Sequence, residues 1–189
     1  HLISMGKAED ALPLAEEALG MAREIADEVG EWESEDDLDT ALYGLADVRK
    51  TLGQREEEGK LRAGRLERAR AAAKRFGNRA ASKNLSLALF GRASHHLDMG
   101  RRSEARSLLE EMLGHNRRVW QEVGDAAARR RLSGSLLWMG DHLAEEGVDE
   151  EARKLMEERV ELNRAGIHET EGDLAVRRGL LYSLNGLRG

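Results

Sequence analysis

The sequence of 189 residues contains no cysteine, a single proline and few aromatic side chains, which make up 4% of the residues. Without cysteine the chain has no disulfide framework and no thiolate metal site, so nothing indicates an oxidising compartment. No apolar run approaches the ~20 residues that a membrane-spanning helix requires. The first ten residues, HLISMGKAED, lack the basic segment and apolar core of a secretion signal. We therefore expect a soluble cytoplasmic protein.

The residues that are abundant favour helix. Alanine, leucine, glutamate and arginine dominate, charged residues make up 35% of the chain, and no alternating strand pattern is visible. The formal net charge of −6 is too small to indicate a nucleic-acid partner by itself. Arginine far outnumbers lysine, which favours a GC-rich bacterial genome as the source.

Two columns of glycine divide the chain into repeated units. The first column recurs at a step of 47 residues and contains Gly6, Gly53, Gly100 and Gly147. The second column contains Gly30, Gly77, Gly124 and, after one inserted residue, Gly172. Glycine at such boundaries is typical of the left-handed residue that closes a helix. Residues suited to cap the next helix follow closely: Ser34, Asn78, Asp125 and Asp149.

Between the glycines, apolar residues follow helical spacing over segments of ~20 residues. After a partial first helix, we predict helices over 9–29, 36–52, 55–76, 79–99, 103–123, 125–146, 149–167 and 173–187; Glu31–Asp39 remains open as a loop or a frayed helix start. One repeat domain over 1–189 would then hold hairpins at approximately 1–30, 34–77, 79–124 and 125–170, with a partial one at 171–189. Both ends lack a polar capping repeat, so we expect a fragment of a longer array.

Small residues stand at fixed distances from the turn glycines. An alanine or glycine lies seven residues before the turn and an alanine five residues after it, as in Ala93, Gly100 and Ala105, and again in Gly140, Gly147 and Ala152. This spacing resembles the tetratricopeptide repeat, which implies an all-α fold: a right-handed α-solenoid of helix–turn–helix hairpins. In the second hairpin Ala46 and Gly53 match, but Glu58 replaces the alanine. With glutamate at this position, the sequence does not determine how the two helices of the second hairpin pack.

The repeat period separates two related folds. Tetratricopeptide repeats usually span ~34 residues, so the longer period here resembles the long-helix variants of bacterial signalling proteins. A HEAT or armadillo array fits the period better, at ~40–47 residues. Those repeats usually have a proline-kinked first helix, however, and the one proline here, Pro13, falls in a second helix.

The resemblance also implies a binding surface, because the first helices of tetratricopeptide hairpins line a groove. The predicted partner-binding residues are Thr40, Tyr43, Asp47, Lys50, Leu87, Phe90, Ser94, Leu137, Trp138, Asp141, Glu145, Tyr182 and Asn185. Glycines beside the aromatic residues would leave hollows for a peptide side chain. Alternatively, the aromatic residues pack between neighbouring hairpins. Only Lys50 is basic in these columns, so we expect no clamp for a peptide carboxylate and a partner of basic or mixed charge.

One stretch, 60–83, is strongly basic, and 24–39 just before it is strongly acidic. The basic stretch could bind nucleic acid or an acidic partner. Alternatively, it is a solvated outer helix whose positive charges balance the negative charges of the acidic stretch 24–39. No aromatic residues interleave with the arginines, as single-strand binding would favour.

Residues for catalysis are not apparent. His95 and His142 share one repeat column, but helices that pack side by side lie ~10 Å apart, too far for one zinc ion with ~2 Å bonds. The sequence contains no HExxH and no phosphate loop. We therefore expect no enzyme, no metal and no cofactor.

The expected function is a protein–protein interaction scaffold that binds a peptide or protein in the groove. Two alternatives stay open: a regulatory or sensor segment of a larger signalling or effector protein, and nucleic-acid or acidic-partner binding through the basic stretch 60–83. Self-association through uncapped ends is a further possibility.

Overall fold

The structure, a computed structural model, describes residues 7–169, with side chains as far as Gly166. All regular structure in this range is helical, in seven helices: α1 (Ala8–Val29), α2 (Trp32–Thr51), α3 (Arg55–Phe76), α4 (Arg79–Asp98), α5 (Arg102–Val123), α6 (Ala126–Glu145) and α7 (Asp149–Glu169). These bounds agree closely with the sequence prediction. The main difference is at the acidic segment Glu31–Asp39, where α2 already begins at Trp32.

The six turn and boundary glycines between Gly30 and Gly147 all adopt the left-handed conformation, with φ between 59° and 75°. After each turn glycine the next residue donates its amide back into the preceding helix. These bonds are Gln54 N to Arg49 O (2.9 Å), Arg101 N to His96 O (2.8 Å) and Val148 N to Leu143 O (2.9 Å). The same closure thus recurs at the 47-residue step, which explains why glycine, with no penalty at positive φ, occupies the column.

Of the four predicted helix caps, Asn78 and Asp125 are confirmed, whereas Ser34 lies inside α2 and Asp149 is the first residue of α7. Asn78 Oδ1 accepts from Ala81 N and Asp125 Oδ1 accepts from Ala128 N, each at 2.7 Å. Ser34 lies inside α2 rather than before it, and its hydroxyl donates to the carbonyl of Glu31 at 2.8 Å. The segment Glu31–Asp39, which the sequence leaves open as a loop or a frayed helix start, forms the N-cap and first turns of α2.

The chain divides into two compact units at Ala105 and Arg106, within α5. In the first unit α1 packs on α2, α2 on α3 and α3 on α4, and α2 also contacts α4. A core of leucine and alanine joins α1 to α2: Leu19, Ala22, Ala26, Leu38, Leu42 and Leu45. In the second unit α6 packs on α7, and Leu132, Leu136, Met139, Met156 and Val160 are buried.

The small-residue columns lie at helix contacts. Ala46, Ala93 and Ala105 are fully buried. A Cβ added at Gly140 would stand 2.6 Å from Cε of Met156, so the absence of a side chain there lets α6 and α7 approach. The sequence reasoning that small residues bring the hairpin helices together is consistent with these contacts.

Candidate functional site

A groove lies between α2 and α4, with α3 beneath it. Its volume is about 570 Å³. Seven of the predicted partner-binding residues line it: Thr40, Tyr43, Asp47, Lys50, Leu87, Phe90 and Ser94. The structure therefore brings together every predicted residue of the first unit, although their role in binding stays a prediction.

The exposed apolar surface of the groove comes from both of its sides. Tyr43 of α2 and Leu87 of α4 are each 47% exposed, and Phe90, also on α4, is half-buried. Large apolar side chains left half in solvent are a common feature of protein-binding surfaces. For Tyr43, the alternative that it packs out of solvent between hairpins does not fit this exposure.

The floor of the groove contains a buried arginine, Arg65 of α3, which is only 5% exposed. Its Nε donates to Oδ1 of Asp39 at 2.9 Å, and its Nη2 donates to Oδ2 of the same carboxylate at 2.8 Å. The guanidinium carbon also lies 5.1 Å from the centre of the Tyr43 ring, within the range of a cation–π contact. Arg65 thus ties the floor to the aromatic side of the groove.

A second buried arginine, Arg62, lies one turn earlier on α3. Its Nε donates to Oε1 of Glu58 at 2.7 Å, and its Nη2 lies 3.5 Å from Oδ1 of Asp47. Gly91 of α4 leaves room for the guanidinium, because a Cβ at that position would stand 3.0 Å from Nη1 of Arg62. The glycine therefore has a packing role beneath the groove.

Glu58 resolves the question that the sequence left open at the alanine column. Its side chain is fully buried and is surrounded by nitrogen groups of Arg55 (3.1 Å), Arg62 (2.7 Å) and His95 (3.4 Å). Burial by itself would raise the pKa of the Glu58 carboxyl, but hydrogen bonds from Arg62 and Arg55 outweigh burial and lower the pKa. The carboxylate is thus held charged where the other hairpins carry alanine.

His95 approaches the same carboxylate from α4. Burial is the main reason that the pKa of His95 is lowered, and the nearby cations Arg92 and Arg62 lower it further, whereas Glu58 raises it. The ring rests against the backbone of α3, since a Cβ at Gly59 would meet its Nε2 at 2.8 Å. Arg92 Nη1 also donates to the carbonyl of Gly59 at 2.8 Å. These contacts fix the distance between α3 and α4.

Charges of both signs line the rim. Lys50 Nζ lies 2.6 Å from Oδ2 of Asp98, and the hydrogen bond from Lys50 is the main cause of the lowered pKa of Asp98. Asn84 Nδ2 donates to Oδ1 of Asp36 at 2.7 Å. Lys83 is exposed at the edge of the groove. The groove is consequently mixed in charge.

The predicted residues of the second unit lie on α6. Trp138 is 45% exposed, Asp141 and Glu145 are exposed, and Leu137 is half-buried. The last two predicted residues, Tyr182 and Asn185, lie outside the described residues.

Basic side chains of the stretch 60–83 form ion pairs with acidic side chains, many of them on α2. Arg65 pairs with Asp39, Arg68 Nη2 lies 3.0 Å from Oε1 of Glu35, and Lys60 Nζ lies 2.7 Å from Oε1 of Glu56. Arg75 donates to the carbonyl of Gly30 at 2.7 Å. These contacts support the interpretation in which the basic side chains of the stretch pair with acidic side chains nearby.

Sequence reasoning missed the floor of the groove, Arg62 and Arg65, because both arginines were counted with a solvated outer helix. Two signals pointed to them. Glu58 interrupts an alanine column four residues before Arg62, and Asp39 lies on the preceding helix at the level of Arg65.

The described residues contain neither a metal-binding cluster nor a membrane-spanning helix. Between residues 7 and 169 no three histidine, aspartate or glutamate side chains form a group that could hold a metal ion. In the same range, no helix combines the length and apolarity that crossing a membrane would require.

Comparison with known proteins identifies the fold. No family model and no curated protein matches the chain. A crystal structure of a protein described as a Podosopora anserina kinesin light chain with nearly identical TPR-like repeats is similar, with a TM-score of 0.64 and 19% identity over 99% of this chain and 83% of that one. A variant of that protein gives a TM-score of 0.65 at 19% identity, over 99% of this chain and 82% of that one. The predicted fold class, all-α with TPR-like helix–turn–helix hairpins, is confirmed.

Proposed function

We propose that the protein is a non-enzymatic scaffold that binds a polypeptide segment in the groove between α2 and α4. TPR-like repeats are typically protein-interaction scaffolds. The observation that carries the proposal is the pair of half-exposed apolar side chains, Tyr43 and Leu87, on the two sides of a cavity of about 570 Å³. That volume lies in the range of clefts that bury a ligand of a few residues.

The chemistry of the lining indicates the kind of segment that would bind. An apolar side chain of the partner would lie between Tyr43 and Leu87, where its burial supplies most of the affinity. Charges of both signs nearby, with Asp47 on one side and Lys83 on the other, would select a segment of mixed charge. Because Arg62 and Arg65 are held by carboxylates, the floor is preorganised and its side chains lose little freedom on binding.

The test uses peptides selected from a random displayed library against the 189-residue protein. Binding of the selected peptides is then measured by fluorescence anisotropy to the native protein and to Tyr43→Ala and Leu87→Ala. We expect each substitution to weaken binding at least about tenfold, a loss of ~1.4 kcal/mol. Helicity is expected to remain, since both side chains are half exposed.

A matched control is Met99→Ala, which removes an apolar side chain that is 42% exposed and lies outside the groove. Peptides that bind equally well to Tyr43→Ala, Leu87→Ala and the control would place the binding surface elsewhere. Trp138→Ala tests the second unit separately: weaker peptide binding to this variant would give α6 a role in binding. We propose the cytoplasm of a bacterium as the setting, on the composition of the sequence.

A further inference from the structure

The floor of the groove between α2 and α4 contains two hydrogen-bond donors that stay unpaired within the described residues. Arg62 and Arg65 are only 6% and 5% exposed, and each directs its Nε and Nη2 toward carboxylates. In the part of the chain that the structure describes, neither Nη1 atom has an acceptor, and solvent reaches both atoms from the groove. Donors of two buried arginines therefore remain available to a ligand.

Gly91 of α4 leaves these donors open. A Cβ at position 91 would stand 3.0 Å from Nη1 of Arg62 and 3.8 Å from Nη1 of Arg65, so both donors lie beside the same point of α4. Gly44, one period of 47 residues earlier on α2, gives a contrast, because nothing lies within 4 Å of its Cβ position. The missing side chain at position 91 thus keeps free the space next to both Nη1 atoms.

A ligand that fills the groove must replace the water at these donors. A guanidinium N–H can only donate, and a donor that is buried without an acceptor costs free energy comparable to a lost hydrogen bond. The floor therefore favours a ligand that brings an acceptor oxygen to Gly91 over one that covers the floor with apolar groups alone.

The charges around the two arginines indicate which kind of oxygen fits. The arginines belong to a cluster with equal numbers of guanidinium groups and carboxylates: Arg55, Arg62 and Arg65 with Glu58, Asp39 and Asp47. Because this cluster carries no net charge, a further carboxylate would lose its hydration and gain no unpaired positive charge. A neutral carbonyl oxygen is easier to desolvate and has lone pairs for these donors.

We propose that the groove binds its partner segment in an extended conformation, with main-chain carbonyl oxygens beside the apolar anchor accepting from Nη1 of Arg62 and Arg65 next to Gly91. This inference rests on the proposed function, in which Tyr43 and Leu87 bind the anchor side chain. An extended segment has free carbonyl groups, whereas a helix uses its carbonyl groups for internal hydrogen bonds. Recognition at the floor thus reads the main chain, and the residue beside the anchor can vary.

The first test compares two glycine variants of the 189-residue protein. Its probe is the library-selected peptide that binds the native protein most tightly, and binding is measured by fluorescence anisotropy. Gly91→Ala should weaken binding at least about fivefold, because its Cβ occupies the space next to both donors. Gly44→Ala, the matched control in the same column, should bind within about twofold of the native protein. Circular dichroism checks that both variants are folded.

A thioamide scan of the peptide identifies the acceptor, because sulfur accepts a hydrogen bond less well than the carbonyl oxygen it replaces. At a position beside the anchor, the sulfur should weaken binding to the native protein at least about fivefold, a result that needs no variant. The same peptide should lose less than about twofold on Gly91→Ala. No sensitive position in the scan would overturn the proposal. An Asp, Glu, Asn or Gln side chain of the peptide that contributes to native binding but not to Gly91→Ala binding would also overturn it.

Failure of the proposed function gives a different result from failure of this inference. If the groove is not the binding surface, Tyr43→Ala and Leu87→Ala bind the peptide as the native protein does. If these two variants bind weakly, but every thioamide peptide binds the native protein as its oxygen parent does, the groove is the site and only the main-chain contact is wrong.

Discussion

Nε of Arg62 donates to Oε1 of Glu58 at 2.7 Å, and the two side chains are 6% and 0% exposed, respectively. The repeat shows that these residues occur as a pair. The column of Glu58 otherwise contains alanine, and the column of Arg62 contains only uncharged residues elsewhere: Ala11 with Ala15, Ala105 with Leu109, and Ala152 with Met156. An ion pair beneath the groove has thus replaced a pair of apolar side chains.

This relationship predicts how substitutions at the pair combine. Glu58→Ala should lower the free energy of unfolding by about 3–5 kcal/mol, because it leaves the Arg62 guanidinium buried without its main carboxylate. The double variant Glu58→Ala/Arg62→Leu, which copies Ala105 and Leu109, should regain most of that loss. Urea unfolding followed by circular dichroism measures all three. A double variant less stable than Glu58→Ala would contradict the idea that the two residues replace an apolar pair.

A matched pair of glycines on α3 tests the close approach to α4. Gly64→Ala should raise the free energy of unfolding by about 0.5–1 kcal/mol, since nothing lies within 4 Å of the new Cβ and alanine favours helix. Gly59→Ala should instead lower it by about 1–3 kcal/mol, because the Cβ would meet the buried His95 ring. Thermal or urea unfolding decides the signs, and a stabilising Gly59→Ala would show that the ring moves freely.

The helices of the described part could be predicted because the glycine columns and apolar spacing are local signals. Gly77 and Gly124, for example, end helices in the left-handed conformation, and Asn78 and Asp125 begin the next ones. The first turns of α2 could not, because the acidic run 31–39 is stabilised by partners distant in sequence. Glu35 pairs with Arg68 on α3.

The groove could be predicted only in part, for a related reason. Repeat columns place Tyr43 and Leu87 on corresponding faces of α2 and α4, so the two sides followed from the sequence. The floor did not, because helical spacing alone cannot distinguish an arginine that faces solvent from one that faces a carboxylate. Arg62 and Arg65 are buried only because Glu58 and Asp39 neutralise them.

The buried histidines of α4 predict how stability depends on pH. Burial is the largest cause of the lowered pKa of both His95 and His96, and nearby Arg92 lowers both further. Below a pH of about 6.5, the ordinary histidine value, the unfolded chain takes up protons that the native chain does not. The free energy of unfolding should therefore fall as the pH is lowered from 7.5 to 5.5.

His96→Gln checks the origin of that dependence. With one buried histidine removed, the loss of stability between pH 7.5 and 5.5 should be smaller than in the native protein. Between pH 7.5 and 8.5, the free energies of unfolding of the two proteins should change with pH in the same way. Urea unfolding at each pH gives both profiles. If the free energy of unfolding of His96→Gln falls as steeply below pH 7.5 as that of the native protein, other groups cause the pH dependence.

Two ion pairs made by α3 should differ sharply in their contribution. The pair of buried Arg65 and partly buried Asp39 is joined by two hydrogen bonds, so a double-mutant cycle with Arg65→Ala and Asp39→Ala should give a coupling energy of about 1–3 kcal/mol. The pair of Lys60 and Glu56 is exposed on one helix face, and the corresponding cycle should give no measurable coupling in physiological salt.

Because the Arg65 pair also supports the Tyr43 ring, Arg65→Ala should weaken peptide binding in the groove, while Lys60→Ala should leave it unchanged. Equal effects of the two substitutions on binding would mean that the floor of the groove does not position its aromatic side.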